Sequence, residues 1–487
     1  MLYLYTLQLE KLEKKGYKLY MNQIKPMLLT TLKSYDRSQF VKDVTAGIIV
    51  AIIALPLSIA LALASGVGPQ AGIFTAIVAG FVISAFGGSN VQIAGPTAAF
   101  ATIVAGIVAK DGLDGLVIST ILAGIFLILM GLCHFGSLIK FIPYTITTGF
   151  TSGIAVTIVI GQLKDFFGVT YPNGLKPIET MEKLNAFALG FSSFHVDALI
   201  VGGVSLAILI ISPYIFKRIP GSLIAVVIGI LMVKFLPLHV STIGNLYTIT
   251  NDLPSFHIPA VKLSMVKSAI PNAFTIAVLA AIESLLSCVV ADGMINGKHR
   301  SDTELVAQGL GNIASALFGG IPATGAIART AANIKNGGRT PIAGMVHSIT
   351  LVLILVVLMP YAALIPMPCI AAILFMVAYN MCGWRTFVGL CKSAPKSDII
   401  VLVLTFALTV IFDLVVAIEV GILLAAILFM KRMSDVTEVE GWKYLDEEDD
   451  PDSIALRAVP DHTLVYEVSG PMFFGAADKI LKISVKE

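Results

Sequence analysis

The chain has 487 residues, of which 56% are hydrophobic and only 13% are charged, and its formal net charge is +2. Soluble domains carry about 25% charged residues, so this composition excludes an ordinary soluble domain. The apolar residues come in runs of about 17 to 25, the length that a helix needs to cross the roughly 30 Å of hydrocarbon in a bilayer. The composition therefore predicts a polytopic membrane protein with the lipid bilayer around it, and we expect no nucleic-acid partner.

Fourteen membrane spans are predicted in chain order, and the third, ninth and tenth are short or interrupted. They lie near 44–64, 69–86, 92–109, 114–133, 143–163, 196–213, 219–237, 270–291, 305–318, 323–336, 341–360, 362–380, 398–412 and 414–430. They form a predicted transporter domain over 43–432. Residues 1–42 are predicted to be a tail without a cleavable signal, with Met21 as an alternative start.

Basic residues fall on one side of these spans. They are Lys33, Arg37, Lys42, Lys217, Arg218, Lys298, Arg300, Lys335, Arg339, Arg385, Lys392, Lys396, Lys431 and Arg432. Loops rich in Lys and Arg stay in the cytoplasm. The sequence therefore predicts a multi-pass protein of the inner or plasma membrane with both termini in the cytoplasm.

No enzyme signature is found in the sequence. It has no HExxH, GxSxG or GxxxxGK[ST] motif, and its five cysteines show no CxxC or Cys/His metal spacing. We therefore expect no catalytic residues, no metal and no cofactor.

Two stretches resemble each other about half a chain length apart. They are SAFGGSNVQIAGPT at 84–97 and SALFGGIPATGAIART at 315–330. Each reads as the end of an apolar helix, a break at Phe-Gly-Gly, and a restart within about ten residues. Seven spans before and seven after would place the second copy upside down, as repeats of about 43–237 and 265–432. An inverted repeat with interrupted helices is typical of secondary transporters, with the substrate at the midplane. The alternative is that the glycines only let helices pack closely.

The restart points predict an anionic ligand. Helices that begin near Pro96-Thr97 and near Thr324-Gly325 present unpaired N–H groups and a partial positive charge. Two such helix ends facing each other favour an anion. Arg329 adds a full charge within a predicted span, where it costs about 3 kcal/mol on insertion scales. The alternatives for Arg329 are snorkelling and pairing with a helix end.

Glu283 lies in the middle of the eighth predicted span, and Ser287 follows one helical turn later on the same face. This pattern makes Glu283 a candidate to bind a coupling proton or to help hold Na⁺. An ion pair with Arg329 is the structural alternative. Asp413 and Glu419 are further acids in predicted spans, for which hydration at a turn and structural pairing are favoured.

Four segments carry a resemblance to a known family. AGPTAAF, AAIESLLSCVVADGM, GKHRSDTELVAQGLGNIASALFGGIPATGAIARTAANI and DLVVAIEVGILLA resemble the SulP (sulfate permease) family, which includes solute carrier family 26. Within it, the sequence is most similar to bacterial members of the C4-dicarboxylic acid transporter type. The resemblance implies an all-α 7+7 inverted-repeat fold with core and gate domains, half-helices at spans 3 and 10, elevator-like movement and a homodimer.

The resemblance also implies site residues. The family's anion site corresponds to Pro96, Thr97, Ala98, Ala326, Ile327, Ala328 and Arg329, and its ion-coupling positions correspond to Glu283 and Ser287. A sodium-coupled bicarbonate-transporting relative has Asp at the position of Glu283, so the longer side chain here favours a proton over Na⁺. Leu57 and Leu61 replace a Gln and an aromatic residue of many members, which leaves the substrate open.

The C-terminal part is predicted to be an acidic linker over 433–454 followed by an incomplete domain over 455–487. Alternation through Leu464–Val468 predicts a strand that resembles the start of the α/β STAS domain of the family. About thirty residues cannot bury a core of their own.

The sequence thus predicts a secondary active anion transporter, with proton-coupled symport of C4-dicarboxylates such as succinate, fumarate or aspartate. The alternatives are a sodium-coupled bicarbonate transporter, a sulfate transporter, and an uncoupled anion channel of the same fold. A nucleobase carrier shares the architecture, but Arg329 fits anions better.

Overall fold

The structure is a computed structural model, and several segments fall outside the residues it describes. The described residues are 25–137, 143–172, 175, 177–215, 220–259, 263–412, 420–421, 423–424, 426–431, 438–441 and 466–469. Asp413, Glu419 and most of 433–487 lie outside them.

The described part of the chain is mostly helical. Its helices are α1 Met27–Thr31, α2 Arg37–Ala64, α3 Pro69–Phe86, α4 Ala98–Leu132, α5 Tyr144–Phe167, α6 Thr180–Gly190, α7 Val196–Ile215, α8 Gly221–Phe235, α9 Ile243–Leu246, α10 Leu263–Ile295, α11 Ser301–Leu317, α12 Ile327–Lys335, α13 Ile342–Ala362, α14 Met367–Cys382, α15 Trp384–Ser393 and α16 Lys396–Ile411. The strands are β1 Ala94–Gly95, β2 Thr324–Gly325, β3 Glu438–Gly441 and β4 Tyr466–Ser469.

Eight helices among the described residues are long and apolar enough to cross a membrane. The helix α4 is one of them, and it covers two predicted spans. The chain kinks between these two spans at Gly112, where φ is 72°. The helices α11 and α12 are short, as the sequence predicts for the ninth and tenth spans. A polytopic helical membrane protein is therefore confirmed, and the count of fourteen crossings stays a prediction.

The two Phe-Gly-Gly breaks are real interruptions, and their glycines are required for different reasons. The helix α3 ends at Phe86 and α11 ends at Leu317. A Cβ on Gly88 would clash with the carbonyl oxygen of Arg300, whereas Gly319 has a φ of 74°, which L side chains rarely adopt. The first break therefore needs a close backbone approach and the second needs a left-handed backbone.

The two interrupted stretches meet as an antiparallel strand pair. In β1 and β2, Ala94 lies opposite Gly325 and Gly95 lies opposite Thr324. Antiparallel pairing of equivalent segments is what an inverted repeat produces, since a two-fold axis in the membrane plane reverses the second copy. The strand pair joins the starts of α4 and α12 at one place inside the protein.

The helices pack in two groups. One group consists of α2, α3, α4, α10, α11, α12 and α13, and the other of α5, α7, α8, α14 and α16. Both β1 and β2 pack against the first group, β1 on α3 and β2 on α10. The core and gate domains implied by the family resemblance stay a prediction.

A buried carboxylate ties the far end of α12 to α2. Asp43 is fully buried and accepts hydrogen bonds from Tyr35 Oη at 3.0 Å, Gln39 Nε2 at 2.9 Å, Arg339 N at 2.8 Å and Thr340 Oγ1 at 2.6 Å. Burial, together with the neighbouring Asp43 carboxylate, raises the pKa of Tyr35 to about 12. The phenol therefore remains a hydrogen-bond donor at physiological pH.

In the C-terminal part, β3 pairs antiparallel with β4, and Val439 lies opposite Val468. The predicted strand is thus present over Tyr466–Ser469, and Leu464 lies outside the described residues. The segment 433–454, predicted to be only a linker, contributes its partner strand. The STAS resemblance itself lies mostly outside the described residues.

Candidate anion-binding site

Two helix N-termini lie beside the β1–β2 pair. The helix α4 begins at Ala98 with Thr97 as its N-cap residue, and α12 begins at Ile327 with Ala326 as its N-cap residue. The second start is two residues later than the predicted restart at Thr324-Gly325, because those residues form β2. Neither N-cap side chain accepts a hydrogen bond from its own helix. The first-turn N–H groups of both helices are therefore free of side-chain caps.

Arg329 lies in the first turn of α12 and is only 3% exposed. Its Nη2 donates to the carbonyl oxygen of Pro96 at 3.1 Å, whereas its Nη1 has no hydrogen-bond partner in the described part of the chain. A Cβ on Gly95 would clash with Nη1, so this glycine makes room for the guanidinium. A buried N–H donor without a partner costs about 1–3 kcal/mol, and an anionic ligand would satisfy it.

The ion pair between Arg329 and Glu283, the structural alternative for these two residues, does not form in the described part of the chain. Among the described residues, the ion pairs are those between histidines and aspartates, and no carboxylate lies within 4 Å of the guanidinium. A cation at a helix N-terminus also opposes the helix dipole. The positive charge of Arg329 therefore adds to that of the two N-termini.

Glu283 lies next to the first N-terminus. Its Oε2 accepts a hydrogen bond from Thr97 Oγ1 at 2.9 Å, and its side chain is partly exposed. Thr97 Oγ1 therefore donates to this carboxylate and does not cap α4. The proton-binding candidate and the anion candidate thus share one threonine.

The structure does not bring Ser287 to Glu283. Ser287 Oγ donates to Thr330 Oγ1 at 3.4 Å, and that oxygen in turn accepts from Ile93 N at 3.0 Å. That Ser287 joins Glu283 in ion coupling stays a prediction. The hydroxyl faces the segment before β1 and stabilises it.

Thr324 was also assigned incorrectly to a helix N-terminus. Its Oγ1 lies 2.6 Å from Ser284 Oγ and 3.1 Å from the carbonyl oxygen of Ala280. Ser284 Oγ also accepts from Gly325 N at 3.1 Å. The sequence analysis missed Ser284, which fixes β2 to α10 directly beside Glu283.

Other missed residues lie on α11 at four-residue intervals. Glu304, Gln308 and Asn312 are all fully buried. Asn312 donates to the carbonyl oxygen of Ala323 and accepts from Ala323 N, both at 2.8 Å, which holds the chain ahead of β2. Polar residues at that spacing share one helix face, so the pattern could have indicated this row of buried polar side chains.

Glu304 supports the first break through four N–H donors. Its Oε2 accepts from Gly88 N at 2.9 Å and Ser89 N at 3.2 Å. Its Oε1 accepts from Gln92 Nε2 at 2.9 Å and Gln308 Nε2 at 2.8 Å. Through these four contacts the buried carboxylate links the first break to α11.

Replacing Glu304 with glutamine is expected to lower thermal stability, because an amide donor would then face N–H donors in a buried site. Each buried group left without a partner costs about 1–3 kcal/mol. Melting of the detergent-solubilised protein, followed by size exclusion, measures the loss. Asp252→Asn is the matched control, because Asp252 is exposed. Equal melting temperatures for both variants would show that Glu304 does not stabilise the break.

The two N-termini differ in accessibility. Pro96, Thr97 and Ala98 are buried, whereas Ile327 is 41% exposed and Ala328 is also exposed. The site therefore has one open face, at the start of α12, and one closed face, at the start of α4. Two helix N-termini and a buried guanidinium, exposed on one side, suit reversible binding of a small anion.

Comparison with known proteins assigns the family. The profile of the Sulfate permease family matches residues 40–405. This chain belongs to the sulfate permease family. The match covers the helices that build the site, from α2 through α16, and so includes both half-helix starts. The family members found here are named transporters, which agrees with the prediction that the protein is not an enzyme.

The names of two relatives of this chain specify an inorganic anion as the substrate. "Putative sulfate transporter YvdB" of Bacillus subtilis is 41% identical over 92% of this chain and 83% of the relative. "Bicarbonate transporter BicA" of Picosynechococcus is 32% identical over 90% of this chain and 80% of the relative. Neither name mentions a dicarboxylate, so the predicted similarity to the C4-dicarboxylic acid transporter type is not supported by these relatives.

A solved structure shows the same fold. The murine Solute Carrier 26 family member A9 anion transporter, in its inward-facing state, superposes with a TM-score of 0.84 at 18% identity, covering 96% of this chain and 81% of that one. At that identity the comparison shows the fold alone. The predicted membership of a family that includes solute carrier family 26 is thus confirmed for sequence and fold.

Proposed function

We propose that the protein is a secondary active transporter that couples uptake of a small anion to a proton. The observation that carries this proposal is the buried Arg329, with one guanidinium nitrogen unpartnered, between the N-termini of α4 and α12. These groups are all donors or positive ends of dipoles, and an anion would satisfy them together. Among the described residues, no group of three or more His, Cys, Asp or Glu side chains could hold a metal ion.

Glu283 gives a physical reason for proton coupling. Its carboxylate is hydrogen-bonded to Thr97, the residue directly before the first N–H groups of α4. An anion at those N–H groups would repel a second negative charge so close by, in a surrounding of low dielectric. Anion binding and protonation of Glu283 therefore favour each other, and the two would move together.

The contacts of Ser287 support H⁺ over Na⁺ as the coupling ion. A sodium site needs several oxygen ligands, and the predicted pair of Glu283 and Ser287 is separated, because Ser287 faces Thr330. Glu283 alone can still bind a proton. Sodium coupling, as the alternative, would require ligands other than Ser287.

For the substrate we propose a small inorganic oxyanion, sulfate or bicarbonate, since these anions are named in the two relatives. Pro96, Thr97 and Ala98 at the closed N-terminus are buried, which favours a small ligand over a larger one. C4-dicarboxylates, which the sequence favoured, are the competing substrates.

The remaining proposals concern how the molecule works in the membrane. We infer an elevator-like movement in which the helix group with β1 and β2 carries the anion past the group of α5, α7, α8, α14 and α16. The protein would lie in the inner or plasma membrane as a homodimer, with both termini in the cytoplasm.

Uptake by purified protein in liposomes tests the function. Radiolabelled sulfate, bicarbonate and succinate are offered separately under an inward proton gradient or an inward sodium gradient. We expect accumulation of sulfate or bicarbonate under the proton gradient and its loss when a protonophore is added. Protein-free liposomes give the background.

Three other outcomes would contradict parts of the proposal. Uptake of succinate alone would overturn the substrate and restore the dicarboxylate prediction. Accumulation that needs sodium would overturn the coupling ion. Anion flux that only dissipates gradients, without accumulation, would show that the protein is an uncoupled anion channel of the same fold.

A further inference from the structure

A second set of buried polar atoms lies behind β1 and takes no part in the site above. His347 on α13 is fully buried, and neither of its ring nitrogens has a hydrogen-bond partner among the residues that the structure describes. Ser84 on α3 is also buried, and its Oγ likewise has no partner. Buried polar groups in folded proteins almost always have partners, so two such side chains in one interface require an explanation.

These two side chains face the same helix interface. A Cβ on Gly344, three residues before His347, would clash with Ser84 Oγ. A Cβ on Gly80, four residues before Ser84, would lie 3.9 Å from His347 Nδ1. Each orphan side chain is therefore opposite a glycine of the other helix. Three or four residues correspond to about 5 Å along a helix axis.

Backbone oxygens of the segment that leads into the anion site border the same space. The carbonyl oxygen of Gln92 would lie 3.5 Å from a Cβ on Gly344, and that of Ala94 would lie 3.3 Å from a Cβ on Gly80. Two hydrogen bonds in series, each about 2.8 Å long, span about the distance along the helix axis that separates Ser84 from His347.

We propose that Ser84, His347 and the backbone of residues 92–94 hold an internal water molecule between α3 and α13, and that His347 acts through it as a positioning residue for the α4 half of the anion site. The cluster offers donors, the serine hydroxyl and one imidazole N–H, and acceptors, the other imidazole nitrogen and the carbonyl oxygens. A water molecule both donates and accepts hydrogen bonds. An anion only accepts them, and a cation is bound only by the lone pairs of oxygen or nitrogen atoms.

The positioning role follows from the place of the water. Residues 92–94 lead directly through β1 to Pro96 and Thr97, and Pro96 accepts the hydrogen bond of Arg329. A water molecule that bridges this segment to α3 and α13 would fix the position of the α4 N-terminus relative to Arg329. This role in transport rests on the proposed function, whereas the water site does not.

The water site is tested by cryo-electron microscopy of the full chain in lipid nanodiscs, at a resolution that shows ordered water. We expect a density peak within hydrogen-bonding distance of Ser84 Oγ and of one ring nitrogen of His347. A direct hydrogen bond between the two side chains, or an interface closed without a peak, would overturn the site.

The positioning role is tested by substitution in the liposome assay. His347→Leu removes both ring nitrogens, and we expect the KM for the transported anion to rise about tenfold while the maximal rate changes little. His347→Gln retains a donor and an acceptor and is expected to stay within about threefold of the wild type. Ser84→Ala is expected to lie between them.

The outcomes separate this inference from the proposed function. If His347→Leu lowers the melting temperature but leaves KM unchanged, the residue is merely structural and the positioning role is wrong. If the wild-type protein transports no anion, the proposed function fails, while the density between Ser84 and His347 still decides the water site.

Discussion

Arg329→Ala is expected to weaken anion binding by about 10- to 100-fold. The guanidinium lies in the first turn of α12, is buried, and has an unpartnered Nη1 that an anion would accept from. A hydrogen bond to a charged group contributes about 1.5–3 kcal/mol, and each 1.4 kcal/mol corresponds to a factor of ten. The measurement is equilibrium binding of labelled sulfate or bicarbonate to the purified protein.

Two variants control for this result. Lys335→Ala removes a positive charge at the exposed C-terminal end of the same helix and should bind the anion as the wild type does. Arg329→Lys keeps the charge without the planar fork and should recover part of the affinity. Wild-type affinity in Arg329→Ala would return this residue to a structural role, in which it only holds the carbonyl of Pro96.

Glu283→Gln is expected to abolish the dependence of uptake on the proton gradient. Glutamine has nearly the shape of protonated glutamate and can still accept the hydrogen bond of Thr97, so anion binding should persist while the titratable group is lost. Counterflow of the anion, which needs no net proton movement, should therefore continue. Gradient-driven accumulation, measured in liposomes, should fall to the level of equilibration.

Asp114→Asn is the matched control for this variant, because it removes an exposed carboxylate from the same chain without touching the site. It should retain gradient-driven accumulation. If Glu283→Gln accumulates the anion under a proton gradient as the wild type does, the coupling proton binds elsewhere. If Glu283→Gln neither binds nor exchanges the anion, the carboxylate holds the site together rather than coupling it.

Much of the architecture could be predicted because it depends on spacing along the chain. The repeated Phe-Gly-Gly stretches located both interruptions, at the ends of α3 and α11. The inverted repeat that they suggest stays a prediction. Helix ends are set by local backbone conformation, which glycine and proline reveal directly. The strand pairing of β1 with β2 follows once both breaks are known to meet.

The partners of individual side chains could not be predicted in the same way. Helical spacing places Glu283 and Ser287 on one face, yet their side chains reach different neighbours, Thr97 and Thr330. Those neighbours belong to other segments, whose positions depend on how the two repeats pack. Glu304 was missed for the same reason, since its donors at Gly88 and Ser89 lie more than 200 residues away in sequence.

The most direct test of the central claim is a cryo-electron microscopy structure in nanodiscs saturated with the transported anion, compared with one in gluconate. We predict density for the anion within hydrogen-bonding distance of the first-turn N–H groups of α4 and α12 and of Arg329 Nη1. Density at any other place, with these groups unchanged between the two structures, would contradict the assignment of the two half-helix N-termini as the anion site.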